Sequence, residues 1–138
     1  MGDARTVGVE LFEARAPLAT PLSVQLFTES LRDLLLAQTP LKLKTSQADV
    51  QYSGSLTGYD VQPVNIQANE TAALNRLTIT VSVTYINTLD TQKNLEFSVS
   101  RFSDYDSSQD LVTVEEGLVR EIGKQLAQDI FDRTLGNW

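Results

Sequence analysis

Cysteine and histidine are both absent from this chain of 138 residues. Their absence removes thiol nucleophiles, disulfides, thiolate zinc sites, Ser-His-Asp triads and imidazole metal ligands together. Any catalysis is left to carboxylate, lysine, tyrosine or serine chemistry. Lack of cysteine does not by itself name a redox compartment. Long apolar runs are also missing, and none approaches the roughly 20 residues that span a bilayer. Basic residues are few: 11 Lys and Arg stand against 18 Asp and Glu, a net charge of −7. General attraction to nucleic acid or to an anionic membrane is therefore disfavoured, although a local basic patch could still act. The length suits one domain with one core.

What is present is ordered. T-V-G-V-E-L-F, Thr6 to Phe12, alternates as a half-buried strand, with Val7, Val9 and Leu11 on one side. Thr20 before Pro21 is a helix start, with a side-chain oxygen at the N-cap and proline at the first helical position. Val24, Phe27, Leu31, Leu34 and Leu35 then recur at helical spacing until near Gln38, ahead of Thr39-Pro40. Asp49 to Ile66 reads as a long strand whose parity slips around Gly58, which predicts a bulge; Pro63 favours an edge or strand end. Gln67 to Asn75 is a polar connection. Arg76 to Asn87 alternates cleanly, T-L-D-T-Q-K-N forms a hairpin loop, and Leu95, Phe97 and Val99 continue the return strand. A second slip at Arg101-Phe102 predicts a second bulge. Thr113 with Glu116 makes a capping box for a last helix whose stripe is Val114, Leu118, Ile122, Leu126 and Ile130, ending at Arg133 and Gly136. The order β-α-β-β-β-α predicts an α+β two-layer sandwich, two helices on one face of a mostly antiparallel four-stranded sheet. Residues 1–5 read as a tail and 6–138 as a single domain.

The outward sheet face is unusually free of charge, with Thr78, Thr80, Ser82 and Thr84 along its clearest strand. Threonine favours strands, so a solvated face can look like this; so can a face that meets a protein partner, because interfaces deplete charge at their centres. Asp104, Asp106 and Asp110 fall within seven positions, and with Ser108 and Glu115 they approach calcium-loop spacing. Gln109 stands where such a loop turns on glycine, and the preceding element is a strand. The aspartates are instead expected to satisfy a strand-to-helix junction, with Asp104 and Asp106 as weak metal candidates. A catalytic carboxylate pair is disfavoured, since a helix start favours the ionised form. Gly54 and Gly58 do not have the spacing of a phosphate loop. Lys42 and Lys44 suit a solvated edge guard, and Trp138 an anchor for the last helix. M-G-D-A-R-T formally matches a myristoylation pattern through Gly2 and Thr6; a substitute start in place of a removed export segment is the plainer reading.

Several segments together carry a resemblance: F-T-E-S-L-R-D-L-L-L-A-Q-T-P-L-K-L, A-D-V-Q-Y-S-G-S-L-T-G-Y-D-V-Q-P-V, N-R-L-T-I-T-V-S-V-T-Y-I-N, S-R-F-S-D-Y-D and D-I-F-D-R-T-L-G-N-W. From about Thr6 to Trp138 the chain resembles the lipopolysaccharide-assembly lipoprotein family LptE, in its Bacteroidetes form. The resemblance implies a non-enzymatic, cofactor-free lipoprotein of a Gram-negative envelope. It would be tethered at the periplasmic face of the outer membrane through an N-terminal cysteine absent from this sequence. It implies a partner, the β-barrel LptD, whose lumen such proteins plug while assisting lipopolysaccharide delivery to the cell surface. The alternative is a periplasmic lipid-anchored binding or adaptor protein with another partner. Proteobacterial members meet lipopolysaccharide through basic residues in loops matching Gln67–Arg76 and Asp104–Thr113. Here those loops are largely neutral or acidic. Arg76 and Arg101 are the ligand candidates, by converging, or a divalent ion bridges phosphate to Asp104 and Asp106.

Overall fold

Thr20 settles where the first helix begins. In the computed structural model, which describes residues 3–64 and 73–136, α1 spans Pro21–Gln38. The Thr20 hydroxyl accepts the Ser23 N–H at 3.1 Å and the Ser23 hydroxyl accepts the Thr20 N–H at 3.0 Å, a reciprocal cap. The helix stops at Thr39, held extended before Pro40. Val24, Phe27, Leu31 and Leu35 are buried as the spacing requires, and Leu34 is half-buried.

The second helix, α2, is Leu111–Thr134 and departs from expectation at its start. Asp110 is the N-cap, without a side-chain cap bond. The Thr113 N–H already donates to the Asp110 carbonyl at 3.0 Å, so the anticipated capping box of Thr113 and Glu116 lies inside the first turns. Glu116 pairs instead with Arg120 at 3.1 Å. Thr20→Ala is therefore expected to lower stability by about 1 kcal/mol in urea unfolding, and Thr113→Ala by less than about 0.5 kcal/mol. Equal losses would contradict this placement of the caps. The buried stripe of α2 is Leu118, Val119, Ile122, Leu126, Ala127 and Ile130, and the Gly136 N–H closes its end on the Phe131 carbonyl.

The sheet has six strands where four were expected, and its three long strands are antiparallel as expected, while the short ones pair in parallel. Its antiparallel part is a meander of β4 (Val50–Pro63), β5 (Leu74–Asn87) and β6 (Leu95–Asp106). Three short strands join it: β1 (Thr6–Val9), β2 (Glu13–Ala14) and β3 (Lys42–Leu43). The order is β3-β1-β4-β5-β6, with β2 also against β4. Strand β1 runs parallel to both β3 and β4. The cause is α1: a helix between two strands carries the chain back to its starting end, so the next strand enters in the same direction. The Asp49 carboxylate ties this junction by accepting the Arg5 and Thr6 N–H groups at 2.8 and 3.2 Å, bonds that hold its pKa below the ordinary value.

Two details of register also differ. The alternation expected through Phe12 ends at Val9, so Leu11 is 63% exposed while Phe12 is buried. The Phe12 N–H donates to the Thr28 hydroxyl and its ring meets Phe27 edge-on, centroids 4.9 Å apart. The aromatic side chain takes the core position that parity assigned to leucine. The bulge near Gly58 is present, between Leu56 and Gly58, and returns Tyr59 to the core side with Tyr52 and Leu56. The bulge expected at Arg101-Phe102 is absent: pairing runs unbroken from Leu74↔Asp106 to Tyr85↔Leu95. Ile66, most of the 67–75 connection, Gly2 and Trp138 lie outside the described residues.

Both helices cover one sheet face. Leu77, Ile79, Val81, Val83 and Tyr85 of β5 are buried beneath them. Polar contacts cross the same layer, from the Tyr52 hydroxyl to Thr134 Oγ1 at 2.7 Å and from the Tyr59 hydroxyl to Glu115. Glu115 also accepts from the Thr20 hydroxyl at 3.4 Å, so one carboxylate links β4, α1 and α2.

Candidate functional site

Strand pairing assembles the opposite face from hydroxyl side chains. Because side chains alternate, Thr78, Thr80, Ser82 and Thr84 point away from the helices and are half-buried by their strand neighbours. Register then fixes what stands beside them. Ser55, Ser82 and Ser98 form one row across three strands; Gly58, Thr80 and Ser100 form the next. The Thr80 hydroxyl donates to Ser100 Oγ at 3.1 Å. These middle rows carry no charge. Charges stand at the two ends: Glu96 beside Thr84, and Asp60, Arg76 and Asp104 around Thr78. A charge-free centre with charges at its ends shares the charge depletion of a protein interface, without its aromatic enrichment. A shallow depression of about 340 Å³ borders this face, where Glu10, Glu13 and Arg15 meet Ser55, Ser82 and Thr84.

Sequence reading missed Ser53, Ser55, Ser98 and Ser100 as members of this face. The signal was available in the hairpin: closing T-L-D-T-Q-K-N pairs Ser98 with Ser82 and Ser100 with Thr80. Phe102 was missed as well. It lies on the open face, 49% exposed, with the Arg76 guanidinium 3.9 Å above its ring.

The two candidate arginines do not converge. Arg76 is on the open face and holds Asp104 through two bonds, at 2.8 and 3.2 Å. Arg101 faces Ile79 across the ladder, on the helix side, and grips Asp129 of α2 at 2.7 and 2.8 Å. The sheet separates them, and each already has a carboxylate partner. The aspartates of the junction are likewise divided. Asp104 serves Arg76; Asp106 accepts the Ser108 N–H at 2.9 Å, which lowers its pKa; Asp110 stands at the N-cap of α2 through its carbonyl, without a side-chain cap bond. Glu115, the last position of the calcium-loop spacing, is held by Tyr59 and Thr20. Of the two lysines, Lys42 lies in the edge strand β3, as an edge guard should, and Lys44 lines a cleft described below.

Two helices on one side of a mixed sheet, with a hydroxyl-lined side left open, define a class: a two-layer α+β sandwich domain with one face uncovered. The chain belongs to the LptE family, described as lipopolysaccharide-assembly, whose model matches residues 4–134. Its role is accordingly in lipopolysaccharide assembly. No curated protein matches the sequence significantly. Among solved structures, a minor lipoprotein of Acinetobacter baumannii is 15% identical, covers 97% of this chain and 94% of its own, and superposes with a TM-score of 0.60. A hypothetical protein of Chlamydia trachomatis is 8% identical, with coverages of 97% and 99% and a TM-score of 0.62. The rare lipoprotein B of Shewanella oneidensis is 14% identical, with coverages of 94% and 95% and a TM-score of 0.53. At such identities the likeness is one of fold. No helix among the described residues is long and apolar enough to cross a membrane.

Proposed function

We propose that this protein is a non-enzymatic subunit of the outer-membrane lipopolysaccharide export machine, of the Bacteroidetes type, lipid-anchored on the periplasmic side, which plugs and orders the barrel LptD. The observation that supports this reading is the uncharged hydroxyl centre of the open sheet face. The lumen of a large barrel is polar. Ser and Thr can hydrogen-bond to such a wall, whereas burying charges there would carry a desolvation penalty. A rigid sheet backed by two helices also keeps its shape against a barrel wall. In this reading Arg76, beside Phe102 on this face, would have to exchange Asp104 for an anionic headgroup to bind one, and Arg101 lies behind the sheet.

The test is co-expression with the barrel and recovery of the complex. Thr80→Lys combined with Ser82→Lys is expected to reduce recovery about tenfold or more, because unpaired charges are forced into a buried contact. Both positions point outward, so the variant should melt close to the native protein. Undiminished recovery would remove the open face from the interface. A stable complex with a partner other than a barrel would favour the adaptor reading.

A further inference from the structure

A second feature stands apart from the open hydroxyl centre. A cleft of about 530 Å³ opens where the chain after β3 folds back over β1. Both ends of this loop are pinned. The Lys44 N–H donates to the Val7 carbonyl at 2.9 Å, and the Asp49 N–H donates to the Thr6 hydroxyl at 2.9 Å. Gly8 lets the loop lie close, since a Cβ there would come within 3.3 Å of Ala48 Cβ and of the Lys44 carbonyl oxygen. Gln47 takes a left-handed conformation, φ 56°. Between the pins, the N–H groups of Thr45, Ser46, Gln47 and Ala48 find no backbone acceptor among the described residues. Consecutive amides in a turn with a left-handed residue form concavities that suit anions.

Arg32 enters this cleft from α1. One of its terminal nitrogens donates to the Val9 carbonyl at 2.9 Å. Its Nε is buried and has no hydrogen-bond partner. That nitrogen is closed to solvent and therefore to a ligand, so the guanidinium meets an anion in the cleft through its terminal nitrogens. Lys44 adds a second positive charge to the lining, and Glu10 is its one acid. The cleft is thus net positive on a chain of net charge −7.

We infer that this cleft binds a phosphate-type oxyanion. The Arg32 guanidinium and the loop amides donate hydrogen bonds to it, and Lys44 supplies counter-charge. A guanidinium edge matches the oxygens of such an anion better than an ammonium does. Glu10 opposes the ligand and sets an upper limit on affinity. The inference does not depend on the barrel-plug reading, because Arg32 and the loop lie outside the Thr80–Ser82 surface.

Inorganic phosphate titrated into the isotopically labelled protein, at ionic strength held constant with sodium chloride, tests it by nuclear magnetic resonance. Saturable shifts are expected at the Arg32 guanidinium and at the amides of Thr45 to Ala48. Arg32→Gln should weaken binding about tenfold or more, the loss typical of a charge-assisted bond, and Lys44→Gln a few-fold. Glu10→Gln should strengthen it about threefold by removing like-charge repulsion. Shifts that chloride reproduces, or native affinity in a folded Arg32→Gln variant, would overturn the inference. If Arg32→Gln fails to fold for want of its Val9 contact, the opposed changes in Lys44→Gln and Glu10→Gln decide; no change in either overturns it. A parallel arm with phosphatidic acid vesicles identifies the source of the phosphate. Arg32-dependent vesicle binding assigns a lipid headgroup, and response to inorganic phosphate alone assigns a soluble one.

Discussion

Gly54→Ala is expected to cost about 3–5 kcal/mol, a large share of a total stability on the order of 5–15 kcal/mol. Gly54 sits in the middle of β4 at φ +152°, a conformation L side chains rarely adopt. An added Cβ would fall 1.9 Å from the Ser82 carbonyl oxygen and 3.1 Å from Cε2 of Phe12. Neither neighbour can yield cheaply. Ser82 is backbone in the next strand of the ladder, and the Phe12 ring is wedged against Phe27. Relief requires β4 and β5 to part locally, which breaks sheet bonds beside the Phe12–Phe27 pair. Gly58→Ala is the control. Its added carbon would meet the Thr80 Cβ and hydroxyl, each at 3.0 Å, on the open face; rotation moves the hydroxyl, and a small shift of the strand is enough to relieve the Cβ. A loss nearer 1 kcal/mol is expected there. Guanidinium unfolding of both variants checks the contrast. A Gly54→Ala protein within about 0.5 kcal/mol of the native one would refute the close approach of the two strands.

A steep loss of stability in alkali is the second large effect. Tyr52, Tyr59 and Tyr85 all lie in the core, and burial is the first cause raising each hydroxyl's pKa. Tyr59 is raised further by donating to the Glu115 carboxylate, while the bond to Thr134 partly offsets the effect at Tyr52. Tyr85 is pushed up to about 12; its hydroxyl makes no hydrogen bond of good geometry, and nearby Asn87 only eases the burial. The sign follows from proton counting. Above an ordinary tyrosine pKa near 10 the unfolded chain releases protons that the folded chain retains, so stability is complete below about pH 10 and falls as pH rises. Each tyrosine contributes a slope of about 1.4 kcal/mol per pH unit until its folded value is reached, so the three together approach about 4 kcal/mol per unit. Urea midpoints measured between about pH 9 and 12, beside phenolate absorbance, report this directly. Tyr52→Phe and Tyr59→Phe should each remove about a third of the slope. Tyr85→Phe should do the same while leaving neutral stability unchanged or slightly higher, because the hydroxyl it deletes has no well-made bond. A midpoint flat across this range would show that water reaches these hydroxyls.

The elements legible in the sequence are those written by periodicity. The helix from Pro21 to Gln38, the clean alternation of Leu77 to Tyr85 and the slip at Gly58 all follow from local pattern, and the structure repeats them. What was not legible depended on long-range choice. Leu11 and Phe12 are both apolar, and only the pocket beside Phe27 decides which goes inside. The apparent slip at Phe102 was an outward aromatic, which parity alone cannot distinguish from a bulge. A strand as short as Glu13–Ala14 has too few residues to show alternation, whereas Leu41 to Lys44 alternates around the strand Lys42–Leu43. Of the candidate interface, the central strand was visible; its neighbours needed the hairpin register. Arg32 falls opposite the apolar stripe of α1, and only the fold brings it against the turn after Lys44.

The parallel seat of β1 has a consequence for the order in which the chain folds. Strands β4, β5 and β6 are consecutive, and their pairing needs only short closures. Thr6 must wait for Asp49, 43 positions later. Loop-closure entropy therefore favours early formation of the meander and late arrival of the first strand, although it leaves the ribosome first. Until that arrival the near edge of β4 is open to pairing with another chain. The interval between the two events is when this molecule is most exposed to aggregation, and when a chaperone would have an unpaired strand to hold.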